Sequence, residues 1–173
     1  LKANQKIPDE LCFYFDFVKS FVYKNLYPGS PLFELSLMRK TDTLVLSELH
    51  PAEIENLKAM VKEYKNDKSP VVQIHSRDGW EMINALIPPK TKRGAVLIDP
   101  SYEETQDYLM AEKTIKEINK KWSNGIIMLW YPLLAHRDTE ISSMLENITL
   151  SAKKVNPNVE IENLTFCVRD KDS

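Results

Sequence analysis

Four consecutive residues, Asp99-Pro100-Ser101-Tyr102, place a carboxylate, a fixed turn, a hydroxyl and an aromatic ring at the end of the apolar run AVLI. A carboxylate and a neighbouring backbone carbonyl can accept both N–H bonds of an exocyclic amine. That leaves its nitrogen more tetrahedral and more nucleophilic, and the carboxylate can take the proton once the nitrogen becomes cationic. The ring offers a stacking face for a base taken out of its helix. Two further acids stand in comparable places: Glu48 near the end of TLVLSEL, and Asp78, followed by Gly79, just after VVQIHS. A carboxylate accepts two hydrogen bonds from a ribose diol, and a second one with its flanking amide can read an adenine edge. Singly, each acid also has a plainer use as a helix cap. Together on one edge the three would repel one another unless a ligand used them.

The pattern of the chain says how they would be positioned. Residues 9–25 read as a helix with Leu11, Phe15, Val18 and Val22 on its apolar face. Ser30-Pro31 can cap and begin a second helix that runs to about Lys40. Strands and helices then alternate: strands at 43–49, 71–76, 94–100, 125–132 and 159–168, and helices at 51–66, 78–87, 103–122 and 136–153. The helical faces are Ile54, Leu57, Val61 and Tyr64; then Tyr108, Ala111, Ile115, Ile118 and Trp122; then Ile141, Met144, Leu145 and Ile148. Apolar strands each followed by an amphipathic helix predict a mostly parallel α/β sheet with helices on both faces. Ligands of such sheets sit at the carboxyl ends of the strands, where these acids fall. Trp80 and Trp122 read as core. Trp130-Tyr131-Pro132 reads equally as core or as the wall of a base pocket. His50, His75 and His136 read as loop, strand-end and helix-start residues rather than bases.

Composition narrows the classes. The chain has 173 residues, 43% of them hydrophobic and 28% charged, as expected of one globular domain. It divides into a helical lead-in, 1–40, and an alternating core, 41–173. A net charge of -2 excludes a broadly basic nucleic-acid binder, so a nucleic-acid surface must be local. Lys90, Lys92 and Arg93 in IPPKTKRG are one candidate; a solvated turn is the other reading. Cys12 and Cys167 have no metal or redox spacing and read as buried free thiols, which favours a reducing, cytoplasmic compartment. No apolar run has membrane-spanning length, and no residues have metal-ligand spacing. The four glycines form no G-x-G-x-x-G loop.

DPSY resembles the Asp/Asn-Pro-Pro-Tyr/Phe motif of S-adenosylmethionine-dependent amino-methyltransferases. YPGSPL, LSELHP, RDGW, IPPKTKRGAVLIDPSYE, DY and GIIMLWYP follow in order the motifs of the RlmJ/YhiR family. The resemblance runs from about Ile7 to Asp170. Members are 23S ribosomal RNA adenine-N6 methyltransferases, a family also described as proteins involved in the catabolism of external DNA. The resemblance implies a Rossmann-like methyltransferase fold, S-adenosyl-L-methionine as cofactor, and RNA as partner, in protein-free or hairpin form. A DNA-binding, uptake-linked role is the alternative. By residue, it implies Asp99, Pro100 and Tyr102 in catalysis, and Ser30, Glu48, Asp78 and Gly79 at the cofactor. Ser101 departs from the motif's second proline. The Ala-Gly-x-Gly loop that meets the methionine part of the cofactor does not occur. The expectation is a partial methyltransferase-like domain, without the first strand and the last strands.

Overall fold

The computed structural model describes residues 8–165. They divide at Gly79–Trp80 into two compact units.

The first unit holds α1 (Asp9–Val22), α2 (Ser30–Leu37), β1 (Thr43–Ser47), α3 (Pro51–Tyr64) and β2 (Val71–His75). β1 and β2 pair in parallel, from Thr43 opposite Val71 to Ser47 opposite His75. Side chains alternate across the pleat. Leu44 and Leu46 therefore turn into a core with Phe21, Leu32, Leu35 and Val61, while Val71 and Gln73 are exposed. Ile54 and Val61 are the buried residues of α3, as its periodicity predicts. The face of α1 differs from expectation: Val18 and Phe21 are buried, but Val22 is 55% exposed. The Phe17 ring packs on Phe21 and Phe33 at centroid distances of 5.2 and 4.6 Å. Leu11 and Phe15 of the expected face are half-buried, and the packed rings of Phe17, Phe21 and Phe33 turn the helix so that Val22 faces out. A second correction concerns Ser30. Gly29 is the N-cap of α2 and Ser30 is its first helical residue, with no side-chain cap. Pro31 suits the first turn because the N–H it lacks has no intrahelical partner there. Cys12 is exposed rather than buried; Cys167 lies outside the described residues.

The second unit holds α4 (Gly79–Leu86), which opens at the boundary, then β3 (Ala95–Ile98), α5 (Thr105–Lys121), β4 (Ile126–Leu129), a 3₁₀ turn (Ala135–Arg137) and α6 (Asp138–Val155). β3 and β4 are parallel, from Ala95 opposite Ile126 to Ile98 opposite Leu129. Val96, Ile98, Ile127 and Leu129 belong to the packed face. Leu97, Ile126 and Met128 on the other face are exposed. All five predicted core residues of α5, from Tyr108 to Trp122, are buried, as are Ile141 and Met144 of α6. α5 and α6 lie side by side and run the same way. Arg137 donates to Thr105 at 2.6 Å near their starts, and Asn147 donates to Glu112 at 3.1 Å further along. The strand expected at 159–168 does not form over its described part. Residues 160–165 have no ladder partner, and the side chains of 160–165 are exposed. Residues 166–168 lie outside the described residues. Among the described residues no helix is long and apolar enough to cross a membrane.

Candidate active site

The turn after β3 is held by one backbone position of β4's end. The Trp130 N–H donates to the Ile98 carbonyl at 3.0 Å, which extends the parallel pairing past the strands. The Trp130 carbonyl then accepts the Tyr102 hydroxyl at 2.8 Å. Tyr102 has φ 55°, in the left-handed region, which costs a non-glycine residue about 1–3 kcal/mol. Two terms offset that cost. The ring is 4% exposed and packs on Tyr108 at 4.7 Å between centroids, with planes tilted by 45°. Burying a large apolar side chain contributes about 1.5–3 kcal/mol and the hydrogen bond about 1 kcal/mol. Burial, then the neighbouring Tyr108 hydroxyl and Asp99 carboxylate, pushes the Tyr102 phenol well above its ordinary range. It therefore stays protonated and keeps its donor.

Asp99 stands one residue beyond β3 and is exposed, yet partial desolvation raises its pKa above the ordinary aspartate value. Pro100 is half-buried. Ser101 makes a long contact, its hydroxyl 3.4 Å from the Asp107 carboxylate in the first turn of α5. A second proline could not make that link between turn and helix. Capping does not explain Asp99: the N-cap of α5 is Glu104, without a side-chain bond. The aromatic ring that is open at this strand end belongs to Trp130, 58% exposed, while Tyr131 is half-buried and donates to Asn163 at 2.8 Å. Core packing therefore loses at Trp130.

In the first unit, Glu48 and Asp78 follow adjacent parallel strands. The Glu48 N–H donates to the His75 carbonyl at 3.1 Å, and the Ser47 hydroxyl to the Arg77 carbonyl at 2.7 Å. These bonds fix both strand ends. Glu48 Oε1 accepts the His50 N–H at 2.7 Å. That bond stiffens the entry to α3, and the N-cap itself, His50, has no side-chain cap. Glu48 and Asp78 are both half-buried. Gly79 leaves open space where a Cβ would stand. Ser30 is exposed at the start of α2. The His75 Nε2 is buried and lacks a hydrogen-bond partner. Two carboxylates just beyond the ends of adjacent parallel strands are an arrangement that can accept from the hydroxyls and amine of a nucleoside. Thus the structure joins Glu48 and Asp78 in one unit and Asp99, Pro100 and Tyr102 in the other.

A cavity of about 210 Å³ lies between α5 and α6, lined by Thr105, Tyr108, Leu109 and Met144 among others. Tyr108 thus backs the Tyr102 ring on one side and lines this cavity, with its own hydroxyl buried and unpartnered. Sequence periodicity marks Tyr108 as core but carries no sign of its support for the turn. Among the described residues no cluster of His, Cys, Asp or Glu is arranged to hold a metal ion.

The sequence model of the family described as "Ribosomal RNA large subunit methyltransferase D, RlmJ" matches residues 1–165. The chain belongs to this family. Two proteins named Ribosomal RNA large subunit methyltransferase J are each 35% identical to it. The Haemophilus influenzae protein matches over 138 residues, 78% of this chain and 47% of its own length. The Escherichia coli K12 protein matches over 145 residues, 82% and 49% respectively. The crystal structure of protein LPL1258 from Legionella pneumophila superposes with a TM-score of 0.68 at 30% identity, covering 87% of this chain and 54% of that one. The fold is accordingly the Rossmann-like α/β fold of an RlmJ-type methyltransferase. The chain spans about half the length of the curated relatives it matches.

Proposed function

We propose that this chain carries the catalytic turn and part of the cofactor pocket of an enzyme that methylates the exocyclic N6 of an adenine in 23S ribosomal RNA. Membership of the RlmJ family supports the reaction and the RNA substrate. The observation that carries the residue assignment is the left-handed Tyr102, held by its hydroxyl on Trp130 beside Asp99. Strained backbone kept in place by several contacts is the mark of a site whose geometry matters.

In this reading Asp99 and the Pro100 carbonyl accept the two N–H bonds of the adenine amine. Its lone pair, otherwise delocalised into the ring, becomes available for in-line attack, and positioning supplies much of the acceleration. Asp99 or solvent takes the proton released when the new N–C bond forms. Tyr102 holds the shape of the turn through its buried ring and hydroxyl, and the open Trp130 ring at the same strand end is the face for the base. Glu48 holds the cofactor ribose, Asp78 and Gly79 its adenine, and Ser30 a further contact. S-adenosyl-L-methionine, when bound, supplies the electrophilic methyl group. The cytoplasm, where ribosomal RNA is processed, is the proposed compartment.

The test uses the full-length protein, labelled methyl donor and a hairpin fragment of 23S ribosomal RNA. Asp99→Ala is expected to lower the transfer rate at least ~100-fold, the size of a lost acid–base or amine-holding group. A rate equal to wild type would remove Asp99 from the mechanism. In calorimetry, Glu48→Ala should weaken cofactor binding by roughly 10-fold or more, the worth of a charge-assisted hydrogen bond. Unchanged affinity would move the pocket elsewhere.

A further inference from the structure

The second unit is charged differently at its two ends. At the carboxyl end of β3 stand Asp99, Glu103 and Glu104, with Asp138 opening α6. At the other end of the same strand the loop before Gly94 carries Lys90, Lys92 and Arg93, all exposed. From Arg93 to Asp99 is roughly 20 Å of extended chain. α5 and α6 both end at this opposite side with Lys121, Lys153 and Lys154 in or beside their last turns. The loop is fixed against α5: the Trp122 indole N–H donates to the Lys92 carbonyl at 2.7 Å. The Gly94 carbonyl accepts the Ile126 N–H at 3.1 Å, which anchors the loop's end to β4. Gly94 and Gly125 also leave the indole its room; a Cβ at Gly125 would come within 2.4 Å of the ring.

Lysines at helix C-termini are favourable with the helix dipole alone, which accounts for Lys121, Lys153 and Lys154. It does not account for three cations within four residues of a loop that belongs to no helix. These repel one another, and none of the three has an ion-pair partner among the described residues. The Trp122 ring is buried, so among the described residues this end presents cations rather than the face of that ring. Such a surface neutralises phosphates without reading bases.

We propose that this basic end of the second unit docks the sugar-phosphate backbone of the RNA substrate, away from the base that enters the Asp99 turn. The inference rests on the reading of RNA as substrate and adds where its backbone is held. The repulsion that an acidic catalytic end offers to RNA makes a separate anchor useful: affinity comes from one end and chemistry from the other.

The test compares full-length wild type with a Lys90→Ala, Lys92→Ala, Arg93→Ala variant. Binding of a 23S ribosomal RNA fragment is followed from roughly 50 to 200 mM salt, where phosphate contacts dominate the salt dependence. The expected result is a plot of log affinity against log salt shallower by about 2–3, with KM for RNA raised at least ~10-fold and kcat at saturating RNA unchanged. Identical slopes and KM overturn the proposal while leaving methylation of RNA intact. A slope that falls in the variant, with no methyl transfer by either protein, keeps the docking surface and removes the proposed reaction. If the variant melts well below wild type, Lys121→Ala, Lys153→Ala, Lys154→Ala replaces it with the same expected direction. Loss of binding to phosphatidylserine vesicles, with RNA binding untouched, would reassign the patch to a lipid surface and also overturn the proposal.

Discussion

The two ends of β3 use the same device for opposite purposes. At the carboxyl end the loop supplies the donor, with the Tyr102 hydroxyl reaching the Trp130 carbonyl. At the amino end the loop supplies the acceptor, with the Lys92 carbonyl receiving the Trp122 indole. Both rings are buried, so in each case an apolar body sinks into the core and a polar tip fixes a piece of irregular backbone. The difference lies in what is left outside. One loop exposes a carboxylate whose pKa is raised; the other exposes three cations with no ion-pair partner among the described residues. An aromatic residue with one polar atom can thus anchor a loop while leaving the neighbouring positions free to carry charge of either sign.

The comparison breaks hardest at Tyr102→Ala. Removing the buried ring should cost about 3–5 kcal/mol in denaturant unfolding, and methyl transfer should fall with the loss of the turn. A variant as stable as wild type would mean that the ring does not hold the turn. A smaller pair of changes separates the two ends. Tyr102→Phe and Trp122→Phe each delete one hydrogen bond, worth about 1 kcal/mol, while keeping an aromatic body. The first should lower kcat on ribosomal RNA and spare RNA affinity; the second should do the reverse. Equal effects of both on kcat would erase the distinction between the ends.

Asp99→Asn tests the electrostatics of the catalytic end. The carboxyl pKa is raised in the folded state, so the folded chain holds that proton more tightly than the unfolded chain does. Its contribution to stability is therefore present below the unfolded pKa and is lost as pH rises through the folded value. The asparagine variant should show a flatter stability–pH curve across that acidic window, be no less stable than wild type at neutral pH, and be inactive. A stability deficit at neutral pH would show that the ionised carboxylate is favourably held. In the wild type, the acid limb of the rate should lie above the ordinary aspartate range of about 3.9. The smallest effect belongs to Ser101→Ala, within about 0.5 kcal/mol for an exposed contact at 3.4 Å. A larger loss would make the link to Asp107 a true brace.

Much of the second unit was legible in the sequence. The apolar positions of α5 and α6 recur at one helical spacing with charged residues between them, and each expected position packs inward. α1 was harder to read because Phe13, Tyr14, Phe15, Phe17, Val18, Phe21 and Val22 surround it with apolar side chains. Periodicity cannot choose among faces there; the ring contacts made across to α2 choose. The missing strand at 160–165 shows the same limit, since alternation gives a strand no partner. Within the site, the residue types and their strand ends were readable. The burial of Tyr102, its left-handed backbone and the exposure of Trp130 were not, because they follow from contacts across 28 residues of chain.

The three tryptophans occupy three surroundings: Trp80 is half-buried, Trp122 is buried with its indole bonded, and Trp130 is open at the end of β4. The last is the most open to a dissolved quencher, and its backbone is the one that Tyr102 grips. Iodide should therefore dim most strongly the emitter beside the Asp99 turn, Trp80 less and Trp122 least. The chain comes with its own optical probe at that turn, and no label has to be attached to watch a base arrive there.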